Sequence, residues 1–416
     1  MKQLKLFMML MLCMIGMASC SDDNGDGEIT YPLTIQFELP EKYNNSNISS
    51  VDITLTELNS QKSFTKTNVK TDGLLATVNV PIGYYKMNAK AKMNYNDEEG
   101  KSGSTDIIAY KEGITVSDAP QSISTQMFFD ENKNSMGFVL AEIFCAGSAN
   151  KTGNYYYADK YFVIYNNTDH VLYADSLVIA ESEFMTTMKE NYSPDIMDTD
   201  MAVGAMYMIP GTGHDVPVQP GGKLLIVDNA VNHTIANPNS WDFTGADFEW
   251  YDESTNPQIT DVNNPNVPNL VKIYSNSVTV WSPHTQGFKS YALARMHASK
   301  KEFLSDYMYD YSYHIVGLTG EADMTGSSYR LPNSWILDAV NMSTKAGFQW
   351  IVTSPALDRG FTYNSDFNFD DSRFGKSVRR KVTSMVGERA ILQDTNNSTD
   401  DFEPRVKADP FHVWKK

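Results

Sequence analysis

Leu33-Thr34-Ile35-Gln36-Phe37-Glu38-Leu39 alternates without a break, with Leu33, Ile35, Phe37 and Leu39 on one face and Thr34, Gln36 and Glu38 on the other. Successive side chains of a strand point to opposite sides, so this is the pattern of a half-buried β-strand. The pattern returns at Val51-Ile53-Leu55, from Leu75 to Val80, at Tyr85-Met87-Ala89-Ala91-Met93-Tyr95, from Ile107 to Tyr110 and from Ile123 to Phe129. Clusters of Asn, Gly, Asp and Ser separate the runs. About seven short strands in about 100 residues predict an antiparallel β-sandwich over residues 31–130. Residues 130–137, polar and ending in Gly137, read as a link to a second domain at 138–416.

The second domain opens on the apolar run Phe138-Val139-Leu140-Ala141-Glu142-Ile143. Next, Lys160-Tyr161-Phe162-Val163-Ile164-Tyr165 enters an Asn166-Asn167 turn, and a further strand lies around Val171 to Asp175. Pro220-Gly221-Gly222 feeds the strand Lys223 to Val227, and Tyr291 to Arg295 reads as another. Near the end stand Ser377-Val378-Arg379-Arg380-Lys381 and Asp394-Thr395-Asn396-Asn397-Ser398-Thr399-Asp400-Asp401-Phe402. This ordered set resembles the lamin-tail type of Ig-like sandwich. In the first domain, Pro81-Ile82-Gly83-Tyr84-Tyr85 resembles the Pro-x-Gly-x-Tyr hairpin of Ig-like, transthyretin-like and carboxypeptidase-regulatory-like modules, which implies a spacer. The expected fold is therefore all-β: an N-terminal Ig-like/transthyretin-like sandwich, then a larger lamin-tail-like sandwich. Residues 181–217 and 229–281 exceed ordinary sandwich loops and read as insertions.

At the other end, Lys2 and Lys5 precede an uncharged stretch from Leu6 to Ile15, too short to span a bilayer. With Met17-Ala18-Ser19-Cys20 after it, residues 1–19 read as a lipoprotein signal peptide and Cys20 as the acylated anchor. Met17 stands where a lipobox favours Leu, and the alternative is a bystander cysteine near an ordinary cleavage site. Residues 20–30 carry Asp22, Asp23, Asp26 and Glu28, an acidic tether. Such a run resembles the export signal of Bacteroidota lipoproteins that reach the outer face of the outer membrane; a spacer on a periplasm-facing lipoprotein is the plainer reading. Asp22, Asn24, Asp26 and Gly27 mimic a calcium loop, but Leu33 stands where a bidentate Glu is needed. The whole chain resembles an uncharacterised family of Bacteroidota surface lipoproteins. The resemblance implies a TonB-dependent outer-membrane receptor as partner.

The formal charge of -17 argues against nucleic acid or anionic lipid as the main partner, and loss of residues 1–19 makes it two units more negative. Of the cysteines, Cys13 leaves with the signal and Cys20 is acylated, so Cys145 stands alone, in an apolar run suited to a buried, inert thiol.

Aromatic residues gather at Tyr155-Tyr156-Tyr157, at Trp241 with Phe243, at Phe248-Trp250-Tyr251 and at Trp281. Exposed rings near Asp and Asn suit a carbohydrate site, because sugar C–H faces stack on rings while amides and carboxylates bind hydroxyls. Tyr156, Trp241, Trp250 and Tyr251 are the candidates; the competing reading makes these rings the cores of long loops. Met185, Met188, Met197, Met201, Met206 and Met208 suit soft Cu(I) or, more commonly, flexible core filling. The Asp394–Asp401 run suits a structural Ca²⁺ or a turn closed by Asx side chains. No His-Glu-x-x-His or Gly-x-Ser-x-Gly occurs, and the seven histidines are scattered. No cofactor motif, metal site or catalytic residue is therefore expected. The functional expectation is a non-enzymatic surface lipoprotein serving a TonB-dependent uptake system; the alternatives are a glycan-binding adhesin and a hydrolase of unknown class.

Overall fold

The computed structural model describes residues 29–39, 46–60, 62–96, 102–129, 137–156, 158–317 and 320–415. The signal peptide, Cys20, most of the tether, Tyr157 and nearly all of the 130–137 link lie outside the described residues. Among those described, no helix is long and apolar enough to cross a membrane.

The chain is all-β. The opening strand, Thr30–Glu38, buries Leu33, Ile35 and Phe37 completely. It lies between Leu75–Pro81, antiparallel, and Gln121–Gln126, parallel, in a three-stranded sheet. A five-stranded sheet of Ser63–Lys70, Asn47–Glu57, Gly83–Asn96, Ser102–Val116 and Phe128–Phe129 faces it. One core joins the two sheets, with Val51, Ile53, Leu55, Met87 and Ile107 meeting Leu33, Ile35 and Phe37. The Pro81–Tyr85 turn is closed by the buried Tyr85 ring, whose hydroxyl donates to the Pro81 carbonyl at 3.0 Å. Ser63–Lys70 was not legible as a strand because, at the sheet edge, none of its side chains is fully buried.

The second sandwich pairs a six-stranded with a seven-stranded sheet. The first runs in the order Phe248–Glu249, Lys223–Val227, Tyr161–Asn166, Phe138–Phe144, Lys376–Arg380, Phe402–Lys407. The second runs Met308–Gly317, Gly320–Pro332, Asp200–Met208, Leu177–Ser182, Tyr291–Arg295, Ile336–Val340, with Val271–Ser275 also paired to Asp200–Met208. Between them lie Leu140, Phe162, Ile164, Ile226 and Val378 from one sheet and Leu177, Ile179, Tyr207 and Leu293 from the other. The outer faces are covered too. Trp241, Phe243, Val267 and Trp414 cover Val139, Tyr161 and Val163; Phe303, Tyr307 and Trp335 cover Val178, Val203 and Ala292. Strands buried on both faces read as continuous apolar runs rather than alternating ones.

This four-layer arrangement corrects the insertion reading. Asp200–Met208, inside the supposed 181–217 insertion, is an interior strand of the seven-stranded sheet with eight of its nine residues buried. Residues 229–281 are likewise a packing layer: Trp241 and Phe243 cover one sheet, and Trp250 and Trp281 enter the central core. The 229–281 segment exceeds an ordinary sandwich loop because it covers the outer face of the six-stranded sheet and adds two rings to the central core.

Polar clamps explain the ordered motifs of this domain. The Asn167 amide donates to the Leu392 carbonyl at 3.0 Å, and its oxygen accepts from the Leu392 N–H at 2.8 Å. Arg380, fully buried, meets Asp338 at 2.6 Å, Asp394 at 3.4 Å and Asp401 at 3.6 Å. Asp401 also accepts from the Thr395 and Asn397 N–H groups. Protein donors thus engage the Asp394 and Asp401 carboxylates, and the Asn397 side chain accepts from the Thr399 N–H at 3.2 Å, the local closure of an Asx turn.

Candidate functional site

The four rings singled out from the sequence do not form one site. Tyr156 is half-buried, with its hydroxyl 3.0 Å from His233 Nδ1. Trp241, also half-buried, packs edge-on against Phe144 at 5.5 Å and lies parallel to Phe243 at 6.0 Å. Both belong to the outer cover of the six-stranded sheet. Trp250 lies on the opposite face of that sheet, wholly buried against Phe162 and Trp281. A sugar cannot stack on a ring with no exposed surface, so Trp250 is corrected from candidate ligand residue to core residue. Tyr251, next to it, is partly exposed. The methionines divide: Met201 and Met206 are core, while Met188 is exposed. Cys145 is buried, and burial pushes its thiol up to about 12. Among the described residues no group of three or more His, Cys, Asp or Glu is placed to hold a metal ion.

A different set of rings does converge. Tyr309, Tyr311 and Tyr313 alternate along Met308–Gly317, so one face of the strand carries all three. Their rings stack in sequence, 5.4 Å and then 6.3 Å apart. Beyond the Leu177–Ser182 strand, Phe184 stacks on Tyr192 at 3.6 Å and 13°. Both stand edge-on to Tyr311, at 5.0 and 5.6 Å. Trp350 completes the group, 6.0 Å from Tyr192 and within 23° of parallel. Five of these six rings are partly exposed, and Tyr309 is buried beneath them.

Hydrogen bonds fix three of the rings and the loop that carries a fourth. Ser193 and Ser312 exchange backbone hydrogen bonds of 2.8 and 2.9 Å, which ties the Tyr192 loop to the tyrosine strand. The Tyr309 hydroxyl donates to the Pro194 carbonyl at 2.6 Å and that of Tyr311 to Glu183 Oε1 at 3.0 Å. Trp350 Nε1 donates to the carbonyls of Met185 and Met188 at 2.8 and 3.0 Å. The result is a preformed cleft of about 480 Å³ with Lys189, Glu190, Asn191 and Asp195 in its wall.

The phenols of Tyr192, Tyr309 and Tyr311 stay protonated. Burial pushes Tyr192 up to about 12, helped by Tyr313, Glu190 and Glu183, and burial with Asp195 does the same to Tyr309. Burial, then the negative charge of Glu183, raises Tyr311 further. They can donate hydrogen bonds and stack, but they supply no base. Two other hollows lack this convergence. One, of about 560 Å³, borders Trp414, whose nearly buried ring packs against Tyr165. Another, of about 440 Å³, has largely polar walls including Lys111, Ser124, Lys300 and Asp306.

Sequence reasoning missed the cleft. The run Tyr309-Asp310-Tyr311-Ser312-Tyr313 was a visible period-2 signal; Phe184, Tyr192 and Trp350 meet it only through folding.

Residues 219–409 match the model of a family described as "Protein of unknown function (DUF4876)". No curated protein matches the chain. Among solved structures, a DUF4876 family protein from Bacteroides thetaiotaomicron VPI-5482 aligns with 91% of this chain and 96% of its own, at 19% identity and a TM-score of 0.50. That likeness concerns fold alone. An adhesin candidate from Bacteroides ovatus ATCC 8483 aligns with 75% of this chain and 88% of its own, at 8% identity; its TM-score of 0.21 carries no argument.

Proposed function

We propose that this is a non-enzymatic, lipid-anchored protein of the outer-membrane surface that binds a neutral glycan in the aromatic cleft. The observation that carries the reading is the preformed cleft lined by Phe184, Tyr192, Tyr309 and Trp350, with Tyr311 and Tyr313 packed against these rings and polar groups in the cleft wall. Such a surface suits sugar rings, whose C–H faces stack while their hydroxyls meet Lys189, Glu190, Asn191 and Asp195. The acidic groups near the rings, Glu183, Glu190 and Asp195, disfavour uronates and sulfated sugars. Anchoring through Cys20 and delivery to a TonB-dependent receptor rest on the lipobox, the tether and the family resemblance.

The test is a glycan panel probed with the full chain in mild detergent. Wild type binds a neutral member, Tyr192→Ala and Trp350→Ala weaken it, and Trp241→Ala, in a separate packing layer, does not. Equal binding by wild type and the cleft variants, or none by wild type, overturns the reading. Co-purification of a β-barrel receptor from outer membranes tests the uptake role, which loses its support if no receptor accompanies the protein. A second reading has its own observation: two carboxylates, Glu190 and Asp195, border the cleft. Turnover of the bound glycan by wild type, abolished in Glu190→Gln, would make the protein a hydrolase.

A further inference from the structure

The ring cleft does not end at Trp350. Thr186 accepts from the Gln349 and Trp350 N–H groups, and Gln349 Oε1 accepts from the Lys189 N–H at 3.0 Å, so the cleft wall and residues 347–350 form one surface. At its far side Gly347 lies against Thr187 and Asn368: a Cβ there would come within 3.3 Å of the Thr187 methyl and 2.9 Å of Asn368 Oδ1. Asn368 Oδ1 also accepts from the Thr344 hydroxyl at 3.0 Å. The residues on either side of Asn368 are Phe367 and Phe369, 57% and 78% exposed.

The tip Phe367-Asn368-Phe369 is held, not loose. Asp370 accepts from the N–H groups of Asp366 and Ser372, both at 2.9 Å, and Arg405 pairs with Asp366 and Asp370. Gln286 accepts from the Phe369 N–H. Phe369 sits at φ +65°, a left-handed conformation that a bulky side chain adopts at a cost. The fold therefore strains its backbone to hold a phenylalanine out in water, and this ring packs into no core that would offset the cost. Gly347 and Trp350 are three positions apart, at most about 11 Å of chain.

We infer that Phe367 and Phe369 form a second stacking subsite, continuous with the aromatic cleft across Thr187, Gly347 and Asn368, so that the ligand is a glycan chain longer than a disaccharide. This rests on the glycan reading of the cleft. The occupant of the tip is the next part of the same chain, because the tip is joined to the cleft by direct packing. A monosaccharide or disaccharide would fill the cleft and leave the tip untouched.

The experiment is calorimetry on the full chain in mild detergent with malto-, cello-, xylo- and manno-oligosaccharide ladders, from disaccharide to heptasaccharide. Three proteins are compared: wild type, Tyr192→Ala, and the double variant Phe367→Ala with Phe369→Ala. Both phenylalanines are exposed, so the double variant keeps its fold. In the ladder that binds, wild-type affinity rises with length, and the double variant loses about tenfold on the longest members while its disaccharide affinity stays within about twofold. Tyr192→Ala weakens every length. Length-independent wild-type affinity, or a double variant that binds all lengths as wild type does, overturns the second subsite and leaves the cleft intact. Wild type that binds no ladder, or Tyr192→Ala that binds like wild type, overturns the cleft reading and this inference with it.

Discussion

Replacing Arg380 with Met removes the guanidinium from the interior of the second sandwich while keeping most of the apolar stem. The wild-type side chain donates to the Leu140 carbonyl at 3.1 Å and the Gln393 carbonyl at 2.8 Å and sits among Asp338, Asp394 and Asp401. Asp401 keeps the Thr395 and Asn397 donors after the change. Asp338 keeps one, the Leu140 N–H at 2.7 Å, and bears most of the loss. Stranding a buried charge in this way costs about 3–5 kcal/mol, a large part of a total stability of about 5–15 kcal/mol. The deficit depends on pH. Burial raises Asp338 above the usual carboxylate range and Arg380 pulls it back. Without Arg380 it rises further, so the folded variant holds protons that the unfolded chain releases above about pH 4. Folded stability then falls as pH rises, and because Asp338 beside Arg380 already sits at about 7, the variant's deficit widens as pH rises above neutral. All six tryptophans lie between Trp241 and Trp414, so denaturant melts followed by tryptophan fluorescence report this sandwich alone. Asp338→Asn in the Arg380→Met background should recover part of the loss. A deficit below about 1 kcal/mol, or one unchanged between neutral and mildly alkaline pH, would refute the buried-clamp reasoning.

Trp250→Ala removes a wholly buried ring from between Phe162 and Trp281 and should cost about 3–5 kcal/mol in the same melts; a change near zero contradicts its core placement. In the chain without residues 1–20, Cys145 is the only thiol and should resist an aromatic disulfide reagent until denaturant is added, since burial both shields it and pushes it up to about 12. Rapid labelling of the native protein would mean an open core. Burial, with Lys289 next in effect, holds His284 down at about 4 against 6.5 when free. The folded state therefore binds fewer protons than the unfolded chain in that window and loses stability as pH falls through it, by on the order of 2–3 kcal/mol. His284→Gln should flatten the decline, and an unchanged pH profile would count against the buried, neutral imidazole.

The N-terminal sandwich was legible strand by strand because most of its strands have one wet face, so burial writes itself as alternation from Leu33 to Leu39. In the second sandwich both sheets are covered on both faces, and that signal disappears: Phe138–Phe144 and Tyr161–Asn166 are buried at every position. What remained readable there was punctuation. Asn167, Arg380 and Asp401 clamp turns to strands distant in sequence, and their spacing carried the resemblance to a known fold type. The long segments at 181–217 and 229–281 were misjudged because length alone cannot separate a surface excursion from a covering layer. The Trp250 misassignment followed from that. The ring cluster was half visible: the alternating tyrosines stood in plain sequence, whereas Trp350 reaches Tyr192 across 158 residues of chain, a juxtaposition that only the fold makes.

The central claim is that the ring cleft around Tyr192 and Trp350 is where this protein holds its ligand. Titration calorimetry of the best-binding neutral oligosaccharide into wild type and Tyr192→Ala, with matched tryptophan-fluorescence melts, tests it directly. The account predicts binding by wild type and at least about tenfold weaker binding by the variant, with similar melts. Equal affinity in two equally folded proteins would contradict it.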